Sequence, residues 1–179
     1  MDSEVQTAIL HFEYTLGPED FLEGQRVFNS SFGSKWARFN YKGLVPVALL
    51  FIGEGIVAYF LRLGWFAVLF LPVLGCYYIM NRIWFWPWRV KREYARYPDM
   101  KAPRMMDFFE NQVVTQTSHG RGEMIWSRFS KFAETPRAFV LFTPPKLFYT
   151  VPKRGIPPEK VDSLRMLLSR KITPAVGSR

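Results

Sequence analysis

Cysteine is almost absent from this chain, and histidine nearly so. Cys76 stands alone and His11 and His119 lie in separate segments. That excludes an internal disulfide and leaves no set of side chains at metal-ligand spacing, so neither a metal nor another cofactor is expected. Cys76 sits inside an apolar run, where it reads as a small packing residue. Nucleophile motifs are lacking too. Ser127, Ser130 and His119 show no elbow or triad spacing, and Gly120-Arg121-Gly122 reads as a turn with no phosphate-loop pattern around it. The sequence therefore predicts no catalytic residues and no enzyme. Met1 to Gln6 holds Asp2 and Glu4 and no basic stretch, unlike a cleaved signal.

Acidic residues are also in short supply. Fifteen Asp and Glu stand against 24 Lys and Arg, for a formal charge of +9. Such an excess attracts phosphate backbones in general. Here no helix spaces its bases evenly and no zinc or stacking motif accompanies them, so nucleic acid is not an expected partner. The bases instead crowd around the apolar part of the chain. Juxtamembrane Lys and Arg are each drawn to anionic lipid by about 1 kcal/mol.

What the chain has in quantity is apolar length. Gly43 to Leu61 and Leu63 to Met80 are two apolar runs separated by Arg62. A helix rises about 1.5 Å per residue, so roughly 20 apolar residues cross a hydrocarbon core of about 30 Å. The expectation is a transmembrane helical hairpin with its turn at Arg62, Leu63 and Gly64. Trp36, Phe39 and Tyr41 precede it and Trp84, Phe85, Trp86 and Trp88 follow, as amphipathic rings do at headgroup level. Arg26, Lys35, Arg38 and Lys42 lie before the hairpin, and Arg82, Arg89, Lys91, Arg92 and Arg96 lie after it. Since Lys and Arg accumulate on the cytoplasmic side, both termini are expected there.

Inside the first run Glu54 breaks the pattern, flanked by Gly53 and Gly55. An ionised carboxylate at that depth costs roughly 2.5 to 3.5 kcal/mol even on a lenient scale. Two readings follow: helix glue, with a carboxyl bonded across a helix interface, or a proton- or ion-responsive site in an oligomer.

Ahead of the hairpin, Leu10, Phe12, Tyr14 and Leu16 alternate with polar residues, the pattern of a half-buried strand. Gly17-Pro18-Glu19-Asp20 then opens a helix. A strand placed before a membrane hairpin needs partners that the hairpin cannot supply, so it is expected to pair beyond residue 100. Past the Pro98 to Pro103 linker the chain turns to short alternating segments: Met106 to Asn111, Val113 to Ser118, Met124 to Phe132, Ala138 to Thr143 and Leu147 to Val151. These predict an antiparallel sheet, and Val161, Leu164, Leu167 and Leu168 mark a C-terminal helix that covers it. The organisation expected is a strand and amphipathic helix over 1–42, the hairpin over 43–81, a basic aromatic linker over 82–103 and an α+β module over 104–179.

This order of parts, with Phe12-Glu13-Tyr14-Thr15-Leu16-Gly17-Pro18-Glu19-Asp20 at the start, Trp126-Ser127 in a strand and Tyr149-Thr150-Val151-Pro152-Lys153-Arg154 near the end, resembles the YcxB-like family of bacterial membrane proteins. The likeness runs over nearly the whole chain. It implies a pleckstrin-homology-like (PH-like) C-terminal fold on a bacterial inner membrane, and it implies no catalytic residues.

The function expected is thus that of a two-span inner-membrane protein whose cytoplasmic module binds a protein or lipid partner, in a regulatory, adaptor or immunity-type role. Lys146, Lys153, Arg154, Arg165 and Arg170 are the candidate headgroup or partner contacts, and Arg82, Arg89, Lys91 and Arg92 the juxtamembrane ones. Self-association through the hairpin is expected alongside. The alternative is an oligomeric channel or transport subunit that uses Glu54.

Overall fold

A computed structural model describes residues 8–31, 35, 39, 43–145 and 147–175. Trp36, Arg38, Tyr41, Lys42 and Lys146, all singled out above, lie outside those residues. The chain forms two compact units: one joins the residues up to Val27 to those from Glu93 onward, and the other runs from Phe28 to Arg92.

The first unit is α+β. Strand β1 (Leu10–Thr15) buries Leu10, Phe12 and Tyr14 and exposes the residues between them, as its alternation predicts. It pairs antiparallel with β2 (Pro103–Phe108), which pairs with β3 (Gln112–Thr117) and that in turn with β4 (Gly120–Ile125). A second sheet holds β5 (Lys131–Glu134), β6 (Ala138–Thr143) and β7 (Leu147–Pro152), again antiparallel. Helix α1 (Pro18–Ser31) follows β1, and its Gly24 allows close approach to β7: a Cβ there would stand 2.3 Å from Thr150 Oγ1.

Two sheets replace the single sheet expected. The segment Met124 to Phe132, read as one strand, breaks at a 3₁₀ turn over Trp126–Arg128. Trp126, Phe129 and Phe132 are all buried at intervals of three, which a single strand's period of two cannot provide. The Trp126 indole N–H donates to the Phe109 carbonyl at 3.0 Å and anchors the break. Gly120 to Gly122, read as a turn, instead begins β4.

The C-terminal helix, Pro158–Lys171, sends Leu164, Leu167 and Leu168 into the same buried cluster as Phe12, Phe108, Phe139 and Leu141. Beyond it, Ala175 N–H bonds the Phe132 carbonyl at 2.7 Å, which ties the chain after the helix to β5 up to that point.

In the second unit, α2 (Leu44–Phe60) and α3 (Trp65–Met80) form an antiparallel helical hairpin. Arg62 adopts φ 50° at the turn, while Arg62 N–H bonds Tyr59 O at 3.1 Å and Leu63 N–H bonds Ala58 O at 2.9 Å. This paired bond pattern closes the end of α2, with Arg62, just past the C-cap, left-handed. After α3 the helix continues through a π turn, Asn81–Phe85, into α4 (Trp86–Arg96). Pro87 has no N–H to give and would clash with a regular turn before it. The wider turn, in which Trp86 N–H reaches Asn81 O, absorbs it without ending the helix. The stretch Val68–Arg96 is long and apolar enough to cross a membrane, by length and composition, and only 6% of its apolar window is buried.

Candidate functional site

The hairpin packs through small residues. A Cβ on Gly55 would lie 2.1 Å from the Pro72 ring, and one on Gly75 would lie 2.6 Å from the Ala48 carbonyl oxygen. Ala48, Gly55 and Ala58 are buried, so they form the seam of α2 that meets α3. Gly53 behaves differently: a Cβ built there meets nothing within 4 Å. Glu54 is exposed beside it and has no hydrogen-bond or ion-pair partner among the described residues. Of the two glycines around Glu54, one serves close approach within the chain and the other does not. Gly53, Glu54, Pro46, Leu50 and Val57 border an open, mostly apolar groove of about 800 Å³.

The basic residues of the sheet unit do not gather into one free patch. Lys153 Nζ lies 2.6 Å from Glu134, and Arg165 holds the same carboxylate through two bonds of 2.7 Å. The Arg165 guanidinium and then Lys153 hold the Glu134 carboxyl down at about 2, well below the usual range. The same carboxylate pushes Arg165 upward. Arg170 donates to both oxygens of Glu110, at 2.9 and 3.0 Å, and Lys171 donates to Oε1 of the same carboxylate at 2.5 Å. Lys171, ahead of the remaining contacts, lowers the Glu110 carboxyl.

Arg154 sits at a cleft of about 470 Å³ formed with Tyr14, Thr15, Leu16, Gly17 and Gly155. Its guanidinium donates to the Thr15 carbonyl at 3.0 Å and to Asp20 at 2.5 Å, and it stays 62% exposed. Asp20, buried, also accepts the Gly17 N–H at 2.7 Å. The sequence placed this acid only in the segment that opens the helix. Its position three residues after the N–H it accepts was the available signal for a capping role. Neighbouring Tyr14 is pushed up to about 12 by burial, against the pull of Arg104. The four described candidate cations of the module are therefore each committed to an acidic partner.

The juxtamembrane set is arranged otherwise. Arg89, Lys91 and Arg92 are exposed on α4, whereas Val90 and Tyr94, one helical turn apart, are buried. Arg82 stacks over Trp86 at 5.1 Å and Arg92 over Trp88 at 5.2 Å. Exposed Trp84 and Trp88 thus share one short stretch with the cations, the combination that suits a surface both apolar and anionic.

The family model described as YcxB-like protein matches residues 108–168. The matched region runs from the end of β2 into the C-terminal helix and leaves β1 and the hairpin outside it. No curated protein and no solved structure matches the chain.

Proposed function

We propose that this chain is a two-span protein of a bacterial inner membrane, with both ends cytoplasmic and a PH-like module that docks a protein or lipid partner in a regulatory, adaptor or immunity-type role. The observation that carries the reading is the β1–β2 ladder. Leu10 to Thr15 pair residue by residue with Phe108 to Pro103, and the whole hairpin is threaded between them. Two strands of an open sheet cannot pair from opposite sides of a bilayer, so β1 and β2 share one compartment. The connection therefore crosses the membrane an even number of times or not at all.

Val68–Arg96 is apolar enough for one crossing, so the second falls to α2. Its 17 residues give roughly 25 Å of helix, at the short end of what a bilayer accepts. Both helices present apolar surface outward: Leu50 is 65% exposed, Phe60 77% and Val73 65%. Water would not tolerate such a patch on a monomer, and lipid would. The single cation at the hairpin turn, Arg62, against Arg82, Arg89, Lys91, Arg92 and Arg96 beyond α3, supports the cytoplasmic ends.

A four-stranded and a three-stranded antiparallel sheet with a C-terminal helix sharing their core support the PH-like reading of the module. Because the module's four described candidate cations are internally paired, lipid attraction is assigned to α4 and the module is left to dock its partner through the remaining surface. Reporter fusions at each end, combined with alkaline extraction of membranes, test the topology. The expected result is two cytoplasmic reporters and a protein that stays with the membrane. Reporters on opposite sides, or release into the soluble fraction, would sink it.

A further inference from the structure

We propose that the outward face of α2 is the contact between two copies of this chain, packed side by side at Gly53 and Glu54. The inference rests on the two-span reading and adds the partner to it.

At about 100° per residue, Ala48, Ile52 and Gly55 fall on one side of α2, and Leu50, Gly53 and Val57 fall on the opposite side with Glu54 next to them. The first side is used up by α3: Gly55 meets Pro72, and Gly75 meets Ala48 and Ile52. On the second side, a Cβ built on Gly53 meets nothing within 4 Å and Glu54 has no hydrogen-bond or ion-pair partner among the described residues, and these are the two features that bring membrane helices together. Gly53 leaves room for a backbone to approach, since a Cβ there would touch nothing, and Glu54 offers a polar group that lipid cannot satisfy. Neither feature contributes to the hairpin itself.

A second copy is the occupant these residues fit. Two chains in one membrane share an orientation, so a two-fold axis along the membrane normal sets each residue of the contact stripe opposite its own counterpart at equal depth. Facing Glu54 side chains then meet at one level. A carboxylic acid has both a donor and an acceptor, so a like pair satisfies itself without any other group. An unrelated helix would need a matching polar residue at that same depth. The groove of about 800 Å³ along Leu50, Gly53 and Val57, closed on its other edge by Leu63 and by Leu71 of α3, receives the partner's side chains.

The test uses full-length protein in native membranes with Cys76→Ser as background, and single substitutions Leu50→Cys, Gly53→Cys, Val57→Cys and Ile52→Cys. Oxidative crosslinking is expected for the first three and not for Ile52→Cys. Glu54→Gln, whose amide also donates and accepts, keeps the crosslinked dimer from Leu50→Cys. Glu54→Leu lowers it by about tenfold. Equal crosslinking at Ile52, no crosslinking at any outward position, or a dimer indifferent to Glu54→Leu overturns the inference. The reporter fusions above, read in the same membranes, keep the two failures apart: correct topology with a monomeric chain removes the dimer alone.

Discussion

Thr15 at the end of β1 stands opposite Pro103 at the start of β2. The sheet is therefore left and re-entered at one place, and everything between those residues is an excursion from it. Its stability consequently depends on residues that the ribosome makes before the hairpin.

Phe12 is the point to attack. It is 2% exposed, lies in the shared core and packs edge-on to Phe108 with ring centroids 5.9 Å apart. Phe12→Ala is expected to destabilise the sheet unit by about 3 to 5 kcal/mol. Denaturant titration of the full chain in mild detergent, followed by Trp126 fluorescence, reads this loss. An unchanged midpoint would mean that β1 is not part of the cooperative unit.

Gly55 and Gly53 make an internally controlled pair. The Gly55→Ala methyl would meet the Pro72 ring at 2.1 Å, so the helices must separate, at about 1 to 3 kcal/mol. Gly53→Ala places its methyl in open space and leaves the hairpin of a single chain unaffected. Thermal unfolding in monodisperse detergent micelles compares the two. A similar loss in both would contradict the assigned seam.

Much of this architecture was legible because the signals were strong and local. Two apolar runs around Arg62 mark the hairpin, and the alternation of Leu10, Phe12 and Tyr14 marks β1 together with its buried face. The C-terminal helix follows from Val161, Leu164, Leu167 and Leu168. The division into two sheets was not legible, because it depends on the 3₁₀ turn at Trp126, whose anchor is a carbonyl 17 positions away. The candidate cations were visible as types, but their occupation by Glu134, Asp20 and Glu110 was not. Ion pairing across 19 to 134 positions leaves no trace in spacing.

Helix α4 should respond to lipid charge. Arg89, Lys91 and Arg92 each contribute about 1 kcal/mol near an anionic surface, screened within a Debye length of about 10 Å at 0.1 M salt. In nanodiscs of the full chain, amide exchange over Trp86–Arg96 is expected to slow when phosphatidylglycerol replaces part of the phosphatidylcholine. High salt or Arg89→Gln with Arg92→Gln should reverse the change. Equal exchange in both lipids would place the attraction elsewhere.

Acid should loosen the sheet unit through Glu134. This carboxylate ties β5 to Lys153, just after β7, and to Arg165 on the C-terminal helix, and its folded-state value falls from 4.5 to about 2. A depressed carboxyl stabilises the fold above its unfolded value, and that stability drains away as pH falls from about 4.5 towards 2. With partial solvent access allowed for, the contribution at neutral pH is about 2 kcal/mol. Glu134→Gln should lose that amount at pH 7, since Lys153 loses its carboxylate partner and Arg165 is left with Asp162 alone, and should show a shallower decline between pH 5 and 2. Denaturant midpoints of the two proteins at pH 7 and pH 3 decide the matter. If their difference does not narrow in acid, the network around Glu134 does not set the acid response, and exposed Glu110, held by Lys171 and Arg170, becomes the next group to neutralise.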